Sequence, residues 1–559
     1  MKKFVVLTLF GLLIMAFSGM AYAQKLEFKA SGSIDFDTVV NENVGYYFGN
    51  AAGWAQKVHY GNFWNSTWSS MSAAGFAGGV HPTGNLDHVA AYAYSRGLLR
   101  FDAIIDKNLS GTIYFELDAV RWGAPTAGSL YQASMRNQMG SWATDQAAVE
   151  VKNVYFDVGL PYFGIPVPMT ARIGIQPFGV RPSVCVYTDG AGITGGINAG
   201  PVMIIPMWAK ILENADAASD DADLYGLHVN AKLGTFTVGG YGLYYNMNTY
   251  PLQYMTGVNW NSSLVLGALG SPVPPGSATS SSYGLSVPGT QRADFWWFGA
   301  YVDGKAGPVD INLDFVYDAG KVRQKARTFG VYAPSVTYSG WLGRLRIDFP
   351  WEKFNFGAGG MYATGNDLSK ASPGGFPGDT VANPKAGHPN WARRVSGYVV
   401  PPGSEQSPGA GDSLVMYSCF NAVADGGTGI ANRGNYQQVS SGSYGGTWFA
   451  KLYGSIKLAP WYKLTLQGLY IGDTSSNGNT FGTARKYPGT ASTLLRHDPT
   501  IGFEFDLINE IDIYKNLKGW VGVGYMFAGD AMDIYNPNIN RNFTPNNPWN
   551  FTTRLLYTF

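Results

Sequence analysis

Charge is scarce in this chain. Only 14% of its 559 residues are Asp, Glu, Lys or Arg, against about 25% in ordinary soluble domains. The two signs nearly cancel, leaving a net charge of +1, so the basic footprint of a nucleic-acid partner is missing. Cysteine is nearly absent as well. Cys185 and Cys419 are the only two, neither has a CxxC partner, and the six histidines show no ligand spacing. No metal site is expected from such a set, and nothing points to a cofactor. Catalytic signatures are also lacking: there is no GxSxG, no HExxH and no convincing Ser-His-Asp grouping, so the chain is not expected to be an enzyme. His59, His81, His88, His228, His388 and His497 read best as solvated, mostly loop, side chains. Beyond the first residues no apolar run reaches the ~18 residues of a membrane helix.

What is present is aromatic and glycine-rich. The chain holds 35 Tyr, 31 Phe and 16 Trp, together 15% of residues, and 73 Gly. Its start, Met1-Lys2-Lys3, is basic; Phe4 to Met15 is apolar; Ala21-Tyr22-Ala23 is an A-x-A site. This pattern predicts a secretory signal peptide over residues 1–23, leaving 24–559 as the mature chain. A retained anchor is the competing reading, but about a dozen apolar residues fall short of the ~20 that span a bilayer. An exported chain without a membrane helix enters a membrane only as a closed barrel. Export also reaches an oxidising compartment, where Cys185 and Cys419 are free to pair. Sequence does not set their Cα separation, so the pairing stays open.

Two-residue alternation runs through the chain. In Lys25 to Asp37, Leu26, Phe28, Ala30, Ile34 and Phe36 share one parity and Glu27, Lys29, Ser31, Ser33, Asp35 and Asp37 the other. A run of about a dozen matches a tilted membrane strand. Tyr92 to Ile105 turns at Asp106-Lys107-Asn108 into Leu109 to Trp122, and similar hairpins recur at Gly234, Gly307-Pro308, Pro350-Trp351, Pro460-Trp461 and Lys515-Asn516. Those are turn residues. The opposite strand ends are joined by long Gly-, Ser-, Asn- and Pro-rich stretches, the longest from Gly365 to Gly445. Short connections on one side and long ones on the other predict an all-β fold, a transmembrane antiparallel β-barrel with short periplasmic turns and long extracellular loops. The count is 18 strands, or 16 if Ala191 to Ile211 belongs to an inward-folded loop.

With the apolar parity toward lipid, the other parity lines the lumen. It carries Arg96, Arg100, Asp102, Glu116, Asp118, Glu150, Lys152, Arg172, Asp310, Asp314, Arg344, Arg346, Lys451, Lys457, Glu504 and Asp506. Arginines on some strands and carboxylates on others predict a transverse field that filters ions. The plainer alternative is that these residues only keep a channel wet. Residues 179–200, with Arg181, Asp189 and many glycines, form the candidate constriction loop; an outer loop followed by an ordinary hairpin is the other reading.

The last strand, Trp549 to Phe559, puts Phe551, Leu555, Tyr557 and the terminal Phe559 on one parity. This ending resembles that of bacterial outer-membrane barrels. Strand layout, terminal Phe559 and charged lumen together resemble the Gram-negative outer-membrane porin superfamily. Arg96 to Trp122 and Ala222 to Tyr245 look like the homotrimeric porins of sulfate- and metal-reducing bacteria. The resemblance implies a homotrimer in the Gram-negative outer membrane, among its lipid and lipopolysaccharide, passing small hydrophilic solutes by passive diffusion. A channel selective for anions or organic acids is an alternative, drawn from the arginine ladder. A barrel sheathing a periplasmic electron-transfer partner is another. The 365–445 stretch is longer than a plain porin needs and leaves room for a lid or a partner site.

Overall fold

The computed structural model describes residues 26–44, 89–122, 149–160, 167–182, 184–213, 219, 221–248, 291–324, 335–369, 380–381, 390–391, 394–402, 404, 412–417, 430, 444–490, 492, 494–536 and 540–559. The strands in chain order begin with β1 (Glu27–Glu42), β2 (Val89–Asp106), β3 (Leu109–Arg121), β4 (Glu150–Leu160), β5 (Met169–Val180) and β6 (Val186–Ala199). Next come β7 (Val202–Leu212), β8 (Ala222–Leu233), β9 (Phe236–Met247), β10 (Gln291–Ala306), β11 (Val309–Gln324), β12 (Val336–Trp351) and β13 (Phe354–Ala363). Three two-residue strands follow, β14 (Thr380–Val381), β15 (Asn390–Trp391) and β16 (Arg394–Val395). The chain then continues through β17 (Thr447–Ala459), β18 (Tyr462–Asp473), β19 (Thr500–Tyr514) and β20 (Leu517–Ala528). It ends with the short β21 (Ile534–Asn536) and β22 (Arg541–Phe543), then β23 (Trp549–Thr558).

Eighteen of these are wall strands, each antiparallel to the next. Closure is made by the last strand: β23 pairs with β20 and also with β1, from Ser33↔Thr558 to Glu42↔Trp549. Gly32 and Phe559 then exchange backbone hydrogen bonds of 2.9 and 3.0 Å. No edge is left open, as lipid requires, because an unpaired amide there has no water to bond. The larger of the two counts holds, since β6 and β7 pair with each other and with β5 and β8 as ordinary wall strands.

The outer face is apolar and aromatic. Phe28, Phe101, Leu227, Phe315, Leu345, Leu452, Leu466 and Phe505 are all exposed. Aromatic rings edge this band at two heights. Tyr225, Tyr244 and Trp296 stack in a row, as do Phe315, Trp341 and Tyr362, toward the long-loop side. Trp351, Trp461, Tyr514 and Phe559 stand exposed at the short-turn side. Trp341 and Trp351 lie ten residues apart on β12, which is ~33 Å along a strand and ~25 Å once tilted. That is the height of an outer-membrane barrel's hydrocarbon belt, and this is an outer-membrane architecture.

The inner face changes character along each strand. Near the short turns β8 to β12 point Lys232, Asp303, Asp310, Asn312 and Arg346 inward. Toward the long-loop ends the same parity carries Leu243, Tyr245, Met247, Phe295, Trp297, Val316 and Leu342, each 1% exposed or less. A lumen filled with water would not bury these side chains. They are covered by chain that folds in from the long-loop side, so the barrel contains a hydrophobic core of its own. Space there is tight: a Cβ on Gly299 would stand 2.1 Å from the Tyr241 ring.

Candidate pore and constriction

The short-turn half of the lumen holds a cavity of about 1040 Å³. Its wall alternates in charge. Lys305 pairs with Asp310 at 3.2 Å, Arg346 with Asp348 at 3.0 Å and Lys463 with Glu510 at 2.7 Å. These side chains are partly open to solvent, so the pairs contribute little stability; they hydrate the space. Asp412, Lys451 and Gln467 close it toward the long-loop side.

Two elements fold inward above that cavity. One is the end of the β5–β6 hairpin. β4 stays paired with β5 only up to Ile175, and β7 with β6 only from Ala191 onward. Residues 176–180 and 186–190 therefore pair only with each other. The departure starts at Gly174, whose φ of 134° a side-chain-bearing residue rarely adopts. Val180, Val184, Cys185 and Val186 at the tip are buried in the core. Arg181 reaches β10 and β11, donating to Asp303 at 2.5 Å and to Asp314 at 2.5 and 2.8 Å. Its guanidinium lies 4.2 Å from the centre of the Tyr301 ring, and the Tyr301 hydroxyl lies 2.8 Å from His228 Nε2. His228 is thus a lumen residue on β8 rather than a solvated loop histidine. The expected constriction over 179–200 divides accordingly: its first part turns inward, while Ala191 to Ala199 is barrel wall.

The second element comes from the long 365–445 connection. β16 runs parallel to the first residues of β12, and residues 397–400 continue into the interior. Asp318 of β11 accepts from the amides of Gly340 and Val399 at 3.1 Å each. Trp297 Nε1 donates to the Val399 carbonyl at 2.9 Å, and the Tyr398 hydroxyl donates to the Val184 carbonyl, joining the two inward elements. Residues 412–417 lie deeper. Glu504 accepts from three consecutive amides, Leu414 at 3.0 Å, Val415 at 2.6 Å and Met416 at 3.0 Å. A row of amides converging on one carboxylate is a backbone anion nest. Asn550 of β23 donates to the Leu414 carbonyl at 2.8 Å, and Gln467 to that of Asp412 at 3.2 Å.

Asp412 meets two cations and a phenol. Arg344 Nη2 donates to its two oxygens at 2.8 and 3.0 Å, Lys451 Nζ lies 3.2 Å away and the Tyr444 hydroxyl donates at 2.5 Å. Burial opposes its ionisation, but Arg344, then Lys451 and Tyr444, outweigh that and hold the carboxyl well below the usual range.

Across the ring, β1 to β5 carry a second network. Arg96 and Lys152 both pair with Glu116, and Lys152 reaches Asp189 of the inward hairpin at 3.0 Å. Arg100 pairs with Asp102 at 2.9 Å, Arg172 with Asp157 at 2.8 Å and Arg554 with Asp35 at 2.6 Å. The separate walls of guanidinium and carboxylate expected from sequence do not form among the described residues. Arg96, Arg100, Arg172, Arg181, Arg344 and Arg346 each meet a carboxylate at contact distance, so the field is divided into local pairs. The Asp118 side chain lies outside the described residues. So does Cys419, and with it the question of its pairing to Cys185.

Sequence reading missed Asp412, Tyr398 and Tyr444 because they sit in a stretch read as loop. A signal was there: Leu414-Val415-Met416-Tyr417 is an apolar run inside a Gly- and Ser-rich segment, and β10 reads Phe295-Trp296-Trp297-Phe298, apolar on both faces. Both mark chain that packs inside.

No protein-family model matches the sequence, and no curated protein matches it. Among solved structures it is similar to OpdQ of Pseudomonas aeruginosa, with a TM-score of 0.44 and 8% identity over 95% of this chain and 98% of that one. OccK8 (OprE) of the same organism gives 0.43 and 9% over 95% and 98%. The trimer form of Vibrio cholerae OmpT, an outer-membrane protein, gives 0.35 and 9% over 96% and 99%. At such identity and superposition, the functional reading rests on this chain's own geometry.

Proposed function

We propose that this protein is an outer-membrane channel for passive diffusion of small hydrophilic solutes and ions. The observation that carries this reading is the polar 1040 Å³ cavity inside a closed barrel with an apolar belt. The inward hairpin and the 412–417 segment narrow the passage, which supports a selective channel over a wide general pore. Arg346 in the cavity wall, half-exposed, and the exposed Lys232 are the cations open to a solute inside the cavity. Arg96, Arg100, Glu116, Asp118, Arg172, Asp189, Asp310 and Asp314 are proposed to line the remaining path. The sheath alternative is weaker, because a buried core occupies lumen that a protein partner would need. Export by a leader cleaved after Ala23, assembly as a homotrimer amid lipopolysaccharide and kinship with the porins of sulfate- and metal-reducing bacteria belong to the same proposal; the leader rests on its basic, apolar and A-x-A regions and the others on the sequence resemblance.

Single-channel recording of the refolded mature chain in a planar bilayer under a salt gradient tests it. Ohmic steps are expected. A correctly folded barrel that passes no current under any anion would overturn the channel.

A further inference from the structure

Asp412 sits where a solute would. A guanidinium, an ammonium and a phenol converge on its carboxylate: Arg344 at 2.8 and 3.0 Å, Lys451 at 3.2 Å and Tyr444 at 2.5 Å. All three donors come from outside the 412–417 segment: Arg344 from β12, Lys451 from β17 and Tyr444 from just before β17. The carboxylate's own backbone is not part of the wall. Asp412 and Lys451 line the 1040 Å³ cavity, so the site opens on the space a solute enters from the short-turn side. A guanidinium nitrogen shared between both carboxylate oxygens, with an added ammonium and phenol, is a set of charge-assisted donors that suits any small carboxylate. We propose that Arg344, Lys451 and Tyr444 form a carboxylate-binding site which the chain itself occupies with Asp412, and that a small solute carboxylate exchanges with Asp412 and loosens the 412–417 segment.

This deepens the channel reading and rests on it for its consequence, faster passage, but not for the site. Exchange replaces one carboxylate by another on the same donors, so no buried cation is left unpaired at the end state, the arrangement that costs most in a protein interior. Asp412 moves toward the hydrated cavity. Glu504 remains the acceptor to which the segment returns, which limits the movement and makes it reversible, but the amides of Leu414, Val415 and Met416 open more often once Asp412 lets go. In the intact chain Asp412 competes with the solute, so apparent affinity is reduced by the fraction of time the site is open.

Acetate is the probe. Calorimetric titration of the refolded full-length mature protein in detergent is compared with Asp412→Ala and with the near-isosteric Asp412→Asn, which covers the case that the alanine variant does not refold. Acetate binding tighter than wild type by about tenfold or more is expected in the variants, from removal of the internal competitor, and it disappears when Arg344→Met is added. In the wild type, hydrogen exchange at the amides of 414–416 is expected to rise several-fold in saturating acetate relative to chloride at equal ionic strength. Equal affinity in wild type and variants overturns the site, as does binding that survives Arg344→Met. Unchanged exchange in saturating acetate overturns the displacement. Acetate binding and faster exchange in a barrel that passes no current would uphold the site and remove the channel reading. Ordinary current with neither effect would do the reverse.

Discussion

The two halves of the lumen are built from the same strands and behave oppositely. On β12, Arg346 faces the short-turn cavity with its side chain 48% exposed, whereas Arg344, two residues along the same face, is 13% exposed and committed to Asp412. On β10, Asp303 meets the cavity while Trp297 is fully buried. The difference is what covers each half. Water covers one, and the chain's own inward segments cover the other. An identical residue type therefore does different work: a solvated guanidinium sets the local field, and a buried one holds a segment in place.

The largest effect is expected from removing the nest. Glu504→Ala leaves the amides of Val415 and Met416 without their acceptor in a dry site, at about 1–3 kcal/mol for each group left unpaired, while Leu414 keeps Asp506 at 3.2 Å. Single-channel conductance should rise, and 412–417 should lose exchange protection. Conductance and protection equal to wild type would mean the long-loop half is held by something else. Arg344→Ala should follow, at about 3–5 kcal/mol against segment docking because Asp412 stays buried with less partner charge. Arg346→Ala in the same assay should leave docking intact and shift reversal potential toward cations, with a stability change within about 1 kcal/mol. If both arginines act alike, the contrast between the halves fails. Trp297→Ala should lower stability by about 3–5 kcal/mol through an internal cavity and the lost bond to Val399; Trp296→Ala, next to it but on the lipid face, should cost clearly less in urea unfolding of vesicle-embedded protein.

The smallest effect concerns pH. Asp412 has a lowered pKa in the folded protein. Its contribution is present above the unfolded carboxylate value of about 3.9 and is lost as pH falls through the lower folded value. The conductance difference between wild type and Asp412→Asn should therefore stay constant from about pH 8 to 5 and shrink only in stronger acid. A difference that vanishes near pH 6 would show that Asp412 is not held by Arg344 and Lys451.

Much of this barrel follows from chain chemistry alone. Period-two alternation with Gly, Pro, Asn and Asp at the reversals dictates strands, tight turns and an apolar outer face, because those are local properties of consecutive residues. Closure through the terminal strand follows too, since Phe551, Leu555 and Tyr557 put one face of β23 in lipid and its backbone needs partners on both sides. The parity rule also placed Arg96, Arg344 and Arg346 on the inner face. It did not say that Arg344 would be buried and Arg346 wet, or that Arg181 would cross to β10 and β11. Those outcomes depend on chain more than a hundred positions away in the case of Arg181. Asp412 likewise meets Lys451, and Glu504 the amides of 414–416, only when residues 412–417 lie inside the closed ring. Periodicity carries no information about that placement. Only the packed structure decides it, by covering the apolar inner faces of β9 to β12 and by bringing Asp412 to the buried Arg344 and Lys451.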